Sequence, residues 1–262
     1  MYTILALLSA GLLGIWKFGI SLYRGRISPY AVLLLSSASA AATYLLLGLA
    51  SHSLVLDAED MNAGFWGGTL NFIATLLILK AVEQGKMGVV TGIAATNALI
   101  PLFYSIATGE KITLLAIAGV GIIFIGLAFF FISRSGLSEP GGSSSYAIIL
   151  AVAAALFYGL DILVLDLGTR VSVTGTLFIS QLPQVIVALG VLLASRSFKR
   201  MSFKAAFVIS GAGVALALAN TAFFTAADLG DIGVTSVLAA LSPIVTALLA
   251  LVLLHETMTR TE

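Results

Sequence analysis

The sequence predicts an all-α protein that crosses a lipid bilayer several times. Hydrophobic residues make up 60% of the chain and charged residues only 10%, and the mean hydropathy is +1.11. A soluble domain of 262 residues could not bury so much apolar surface. In lipid the backbone must satisfy its own hydrogen bonds, and a helix of about twenty apolar residues does so while spanning the membrane.

Nine membrane-spanning helices are predicted, separated by short polar loops. The expected spans are 3–22, 30–50, 62–80, 88–107, 112–132, 146–168, 174–194, 205–226 and 233–254. The longest linker reads SRSGLSEPGGSSS at 133–145, a composition typical of a flexible join. We therefore predict a first repeat over 1–134, a linker over 135–145 and a second repeat over 146–262.

An internal repeat supports this division. The segment 80–110 has a relative at 225–256, and five positions match at a constant spacing of 145 residues. They are Ala81, Glu83, Gly85, Gly88 and Val89, matched by Ala226, Asp228, Gly230, Gly233 and Val234. Each copy continues into an apolar segment with a proline inside it and ends on a glutamate. The chain is therefore interpreted as a duplication with five helices in the first copy and four in the second.

An odd number of helices per copy places the two repeats upside down relative to one another. Loop charges agree, because the loop after the second helix is acidic, whereas its counterpart after the seventh is basic. Inverted repeats are common in secondary transporters, whose substrate sites lie near the midplane between the halves. The positive-inside rule favours an N-terminus outside the cytoplasm.

The repeated block resembles the EamA-type repeat of the drug/metabolite transporter superfamily. The resemblance rests on an acidic residue before Gly-x-x-Gly and on the proline-containing helix that closes on Glu110 or Glu256. Gly14-Ile15-Trp16 and Ile27-Ser28-Pro29 resemble the family as well. The resemblance implies a ten-helix carrier with a central cavity and with both ends of the chain in the cytoplasm. It also implies a substrate from a range that extends from amino acids and sugars to purines and drugs. A tenth helix is absent here, which fits a truncated chain, a natural short form, or one that borrows a partner's helix.

Two charged residues fall inside predicted spans, Lys17 and Asp161. Such charges cost roughly 3 kcal/mol on insertion scales and are functional candidates by default. We predict Asp161 to bind substrate and to couple transport to protons or cations, and Lys17 to pair with an anionic group of the substrate. The alternative for Lys17 is that its ammonium reaches the membrane surface. No direct ion pair between them is expected, whereas Asp166 and Arg170 have the spacing of a surface helical pair.

Uncharged polar residues form the second group of candidates for substrate binding: Asn71, Thr75, Asn97, Tyr104, Tyr158 and Asn220. Their alternative role is hydrogen bonding between helices, at about 0.6 kcal/mol per contact. Gln181 and Gln184 fit either role. Two further features have structural interpretations. Pro101, Pro183 and Pro243 predict hinges or static kinks, and Gly64 and Gly68 form a GxxxG pattern that indicates close packing or a chance match.

The sequence predicts a transporter rather than an enzyme. His52 and His255 lie at helix ends, Asp161 and Asp166 share one helix, and the chain has no cysteine, so no catalytic group, metal site or cofactor is expected. A net charge of +1 without a basic tract argues against nucleic acid.

The predicted function is secondary active transport of a small polar metabolite, such as an amino acid, a sugar or a nucleoside or base, across the cell membrane by alternating access. The alternatives are a multidrug exporter, or an accessory subunit that needs a partner helix. The expected partners are the substrate and the lipid bilayer, with a homodimer or a small partner subunit as further possibilities.

Overall fold

The computed structural model describes residues 1–23, 26–85, 87–109, 121, 125, 145–195 and 201–254. Within these ranges every regular element is a helix and no strand occurs. The predicted first repeat contains α1 (Tyr2–Ser21), α2 (Pro29–Ala50), α3 (Ala58–Gln84), α4 (Met87–Ala94), a 3-10 turn (Ala95–Ala98) and α5 (Leu99–Ala107). The second contains α6 (Ser145–Thr169), α7 (Val173–Ala194), α8 (Phe203–Leu229), α9 (Ile232–Ala239) and α10 (Ser242–Leu254).

Seven segments of the described chain are long and apolar enough to cross a membrane, and a shorter apolar helical segment runs over Gly92–Ala107. The last of the seven spans, Ile232–Leu253, combines α9 and α10. The first, second, sixth and seventh predicted spans agree with the helices to within one residue. The fifth predicted span and the linker lie outside the described residues, apart from 121, 125 and 145.

Helix α3 and helix α8 extend beyond the apolar stretches that predicted them. Helix α3 runs from Ala58 to Gln84 rather than over 62–80, and α8 runs from Phe203 to Leu229 rather than over 205–226. A span predicted from hydropathy ends where polar residues begin, whereas a helix continues through polar residues until the backbone leaves the helical conformation. It does so at Gly85 after α3 and at Gly230 after α8.

Side-chain caps mark the beginnings of three helices in the second half of the chain. The Ser172 hydroxyl accepts a hydrogen bond from the backbone N–H of Gly175 at the start of α7. Ser202 and Asp231 cap α8 and α9 in the same way. Each cap satisfies one of the backbone N–H groups that the first turn of a helix leaves unpaired.

The fourth and ninth predicted spans are interrupted helices, although the sequence predicted continuous ones. A 3-10 turn at Ala95–Ala98 separates α4 from α5, and Ala240 and Leu241 separate α9 from α10. Ala240 lies 145 residues after Ala95, so the two interruptions begin at equivalent positions. Pro243 follows the second interruption and has no N–H for the carbonyl of Ala239. Pro183, in contrast, lies inside the continuous helix α7.

The packing of the helices repeats when each helix is exchanged for its counterpart 145 residues away. Helix α1 packs against α8, and its counterpart α6 packs against α3. Helix α3 also packs against α7, and α8 against α2. Helices α2 and α7 are counterparts and pack against each other, and the contact of α1 with α9 corresponds to that of α6 with α4. The main contacts between helices therefore join the first repeat to the second.

Close contacts at glycines obey the same spacing. A Cβ added at Gly14 would stand 2.6 Å from the Val245 side chain, and one at Gly159 would stand 2.5 Å from the Ile100 side chain. Gly159 and Val245 lie 145 residues after Gly14 and Ile100. The same spacing relates two further contacts, Gly85 with Ala147 and Gly230 with Tyr2.

The GxxxG pattern on α3 is a packing surface for α7. A Cβ at Gly64 would stand 2.7 Å from the carbonyl oxygen of Thr176, and one at Gly68 would collide with the carbonyl of Ser180. Small residues allow two helix backbones to approach in this way. The interpretation of the pattern as a packing face is therefore confirmed.

We predict that Gly68→Ala destabilises the protein by about 1–3 kcal/mol, because the added methyl group meets backbone that cannot move without shifting α7. The measurement is thermal unfolding of the purified protein in detergent. Gly190→Ala on α7 is the matched control, since no atom lies within 4 Å of the added methyl group there. Equal melting temperatures for the two variants would show that the helices are not in close contact at Gly68.

Candidate functional site

A buried carboxylate lies between the two repeats. Asp161 on α6 is 3% exposed, and its Oδ2 accepts a hydrogen bond of 2.6 Å from Nδ2 of Asn71 on α3. A buried carboxylate is costly unless hydrogen bonds replace its lost hydration. Asn71 therefore supplies part of the compensation that lets Asp161 occupy this position.

Two more residues extend this contact into a chain. Oδ1 of Asn71 accepts from Nε2 of Gln184 on α7 at 3.0 Å, and Oε1 of Gln184 accepts from the Ser37 hydroxyl of α2 at 3.3 Å. We call Ser37, Gln184, Asn71 and Asp161 the amide chain. It joins α2, α7, α3 and α6, and each of its hydrogen bonds is donated in the direction of the carboxylate.

A second contact joins α3 to α6 one turn away. The Thr75 hydroxyl lies 3.1 Å from the hydroxyl of Tyr158 and also donates to the backbone carbonyl of Asn71 at 2.9 Å. Because a hydroxyl carries one hydrogen, Tyr158 is then the donor to Thr75. Asn71 and Thr75 on α3 thus face Tyr158 and Asp161 on α6. We call these four residues together with Gln184 the acidic cluster.

Lys17 contacts a different part of the protein. Its ammonium donates a 2.7 Å hydrogen bond to the hydroxyl of Ser242, the first residue of α10. It is thus directed at the interruption between α9 and α10 and not at the membrane surface. Thr246 adds a hydrogen bond of 3.1 Å to the carbonyl of Gly14, which joins α10 to α1.

The two buried charges are separate from each other. In the parts of the chain that the structure describes, no ion pair joins Lys17 to Asp161, as expected. The predicted pair of Asp166 and Arg170 is present at 2.7 Å. It is less superficial than expected, because the Asp166 side chain is only 10% exposed while that of Arg170 is 57% exposed.

The remaining candidates lie apart from the acidic cluster. Asn97 is in the 3-10 turn, where its backbone carbonyl faces Gly159. Tyr104 on α5 is 39% exposed. Asn220 on α8 lies beside the Tyr44 hydroxyl of α2, which is buried without a hydrogen bond of ordinary geometry.

Of the eight predicted site residues, the structure brings four into one cluster: Asn71, Thr75, Tyr158 and Asp161. Sequence reasoning left Gln184 undecided and missed Ser37 and Tyr44, whereas Ser242 was one of several polar residues that it assigned either to a cavity or to bonds between helices. Gln184 carried a signal, because a glutamine in an apolar helix needs a partner. Ser37 carried none, since serine is common in such helices and bonds to its own backbone.

Polar contacts also join the two repeats at one end of the molecule. The Ser172 hydroxyl donates to the carbonyl of Ser53 at 2.9 Å, and Thr174 donates to the same carbonyl at 3.2 Å. Thr176 donates to Oδ1 of the fully buried Asp60 at 3.0 Å. The α2–α3 loop is thereby bound to the α6–α7 turn. We call these residues the terminal contact.

The described residues contain no group of three or more His, Cys, Asp or Glu side chains arranged to hold a metal ion. The chemistry available in the acidic cluster is therefore hydrogen bonding by amides and hydroxyls and the binding of a proton or a cation by one carboxylate.

Comparison with known proteins relates the chain to membrane transporters. Residues 145–262 match the model of the EamA-like transporter family, and no curated protein matches the sequence. One solved structure, described as "Crystal structure of protein", has a TM-score of 0.80 and 16% sequence identity, and covers 99% of this chain and 90% of that chain. At this identity the likeness shows the fold alone.

We predict that Ser242→Ala destabilises the protein by about 1–3 kcal/mol, because it leaves the Lys17 ammonium without its acceptor. The double variant with Lys17→Met and Ser242→Ala should be more stable than Ser242→Ala alone, since it removes both partners. Melting temperatures of the variants in detergent measure both effects. Ser236→Ala is the control, because the Ser236 hydroxyl bonds only to the carbonyl of Ile232 in its own helix. A double variant that is the less stable of the two would contradict this role of Lys17.

Proposed function

Because its match to the EamA-like family places this chain in the drug/metabolite transporter superfamily, we propose that it is a secondary active transporter for a small polar metabolite. It is an integral, multi-pass membrane protein. In the proposal, the two repeats move relative to each other and expose a central site first to one side of the membrane and then to the other. Amino acids, sugars and nucleosides or bases are the substrate classes to test.

The observation that carries the proposal is the acidic cluster. Asn71 and Thr75 belong to the first repeat, whereas Tyr158, Asp161 and Gln184 belong to the second. Any movement between the repeats must therefore break or rearrange their hydrogen bonds. A hydrogen bond to an ionised carboxylate is roughly twice as strong as a neutral one, so the charge of Asp161 biases which arrangement of the repeats is stable.

The repeated packing and the interrupted helices support an inverted-repeat carrier. Helices of the two repeats exchange contacts in pairs, as a two-fold relation between the repeats requires. The interruptions at Ala95–Ala98 and at Ala240 occupy equivalent positions. Discontinuous helices at the interface of inverted repeats form the substrate and ion sites of many secondary transporters.

The terminal contact supports alternating access. It holds the α2–α3 loop and the start of α3 in the first repeat against the α6–α7 turn and the start of α7 in the second by three side-chain hydrogen bonds. In the proposal these bonds close one end of the central site and break when that end opens. Such bonds are individually modest, about 0.5–1.5 kcal/mol each, which is suitable for a contact that must open repeatedly.

The chemistry of the site favours a small polar substrate. The acidic cluster offers amide, hydroxyl and phenol groups beside one carboxylate, and the Lys17 ammonium keeps donors beyond the one that binds Ser242. A thermal-stability screen of the purified protein identifies the substrate class. A ligand at a hundred times its dissociation constant stabilises the protein by about 2.7 kcal/mol.

We predict that Asp161→Asn abolishes uptake driven by a pH gradient while leaving exchange of substrate across the membrane intact. The asparagine keeps the shape of the side chain but cannot bind and release a proton. The measurement is uptake into proteoliposomes of the substrate found by the stability screen, with and without a pH gradient. Asp166→Asn is the control, because Asp166 lies on the same helix and is paired with Arg170. Uptake by Asp161→Asn that still responds to the gradient would overturn the coupling role.

A further inference from the structure

The amide chain can carry hydrogen bonds in two directions. Asn71 and Gln184 each have an NH2 donor and a carbonyl acceptor on one planar group. Rotating such a group by half a turn exchanges donor and acceptor while leaving its position almost unchanged. The three hydrogen bonds of the amide chain, from Ser37 to Asp161, can therefore run in either direction.

The structure shows the arrangement that suits an ionised carboxylate. Ser37 donates to Gln184, Gln184 donates to Asn71, and Asn71 donates to Oδ2 of Asp161. An ionised carboxylate only accepts hydrogen bonds. Each side chain of the amide chain makes at least one hydrogen bond in this state.

Protonation of Asp161 reverses this requirement. When a proton from water binds to Oδ2, that oxygen becomes a donor and faces the NH2 group of Asn71, which is also a donor. Rotation of Asn71 presents its carbonyl to the new O–H and its NH2 group to Gln184. Gln184 must then rotate as well, so that its NH2 group donates to the Ser37 hydroxyl. The only covalent change is the O–H bond on Asp161, and no proton passes along the amides.

Oδ2 is the oxygen that protonation favours. In the described part of the chain no side chain bonds to Oδ1 of Asp161, whereas the rotated Asn71 offers an acceptor to Oδ2. A buried donor that lacks an acceptor is unfavourable. Hydrogen bonds in a chain also polarise one another in a medium of low dielectric constant, so the two amides rotate together.

We propose that Asn71 and Gln184 form a reversible relay that reports the protonation of Asp161 to Ser37 on α2. This inference rests on the proposed coupling role of Asp161 and makes Gln184 and Ser37 positioning residues. Helices α2 and α3 belong to the first repeat and α6 and α7 to the second. One protonation event therefore changes the hydrogen bonds that join α3 to α6, α3 to α7 and α2 to α7.

The surroundings of Asp161 leave it as the charge that drives the relay. Its nearest titratable neighbour is Tyr158, which is bound to Thr75. The packed segments α4, the 3-10 turn, α5 and α7 contribute no charged residue, although α5 carries Tyr104. Charged residues on α3 lie nine or more residues along the helix from Asn71, the donor to Asp161: Glu59, Asp60, Lys80 and Glu83. On α8 the charged residues, Lys204 and Asp228, lie at the two ends of the helix. Asp166 on α6 is paired with Arg170.

Gln181 is a built-in control for Gln184. It lies one turn earlier on the same helix, is similarly buried, and donates to the hydroxyl of Ser180 at 3.2 Å. No hydrogen bond connects Gln181 to the described members of the amide chain. A general response of α7 to pH would affect both glutamines, whereas the relay affects only Gln184.

The test is infrared difference spectroscopy between acid and alkaline pH on the purified protein in lipid vesicles. Asp161→Asn assigns the carboxyl band, and Gln184→Leu and Gln181→Leu assign the two glutamine bands. We expect the Gln184 band to shift with pH in step with the Asp161 band, and the Gln181 band to stay constant. In Asp161→Asn the shift of Gln184 should be lost. In Asn71→Leu it should be lost while the Asp161 band still titrates.

The outcomes separate the relay from the function on which it rests. A titrating Asp161 band with a constant Gln184 band would show that the relay is wrong and leave the coupling role intact. The absence of any titrating Asp161 band would overturn both. Because Asp161→Asn preserves the size of the side chain, the test does not depend on whether Asn71→Leu folds.

Discussion

The hydrogen bond between Asn71 and Asp161 is the interaction on which the rest of the interface depends. A carboxylate inside a bilayer is costly, and Asp161 is tolerated at 3% exposure because a donor from the other repeat reaches it at 2.6 Å. That donor is oriented by Gln184, and Gln184 is contacted by Ser37. A single buried charge thus explains why α3, α7 and α2 carry Asn71, Gln184 and Ser37, polar residues that would otherwise be unfavourable in an apolar protein.

In our proposal, duplication explains the architecture around this charge, and divergence explains its chemistry. Close contacts repeat at a spacing of 145 residues, as between Gly14 and Val245 and between Gly159 and Ile100. Their polar surroundings differ, because one interface contains the acidic cluster and the other contains Lys17 bound to Ser242. The helix packing has therefore been kept in both halves, while each half has acquired its own charged group.

Much of the fold could be predicted from the sequence, because lipid requires long apolar helices and the repeat fixes which helices correspond. The interruptions of the fourth and ninth spans could not, since hydropathy does not detect a break that precedes Pro101 or Pro243 by several residues. Charges within apolar spans pointed to Asp161 and Lys17, and a spacing of four residues on one face of α3 pointed to Asn71 and Thr75. Their partners could not be predicted, because Gln184 and Ser242 come from distant helices whose packing only the structure defines.

The central claim is that the two repeats rock against each other under control of Asp161, and distance measurements between spin labels test it most directly. The chain has no native cysteine, so pairs of cysteines for spin labelling can be introduced without background. One pair replaces Ser51 and Val171, beside the terminal contact. The other replaces Gln84 and Ser145, at the ends of α3 and α6 that lie away from the terminal contact. The account predicts that a change of pH lengthens one distance while shortening the other, and that Asp161→Asn removes both changes. Distances that stay constant with pH, or that change equally in Asp161→Asn, would contradict it.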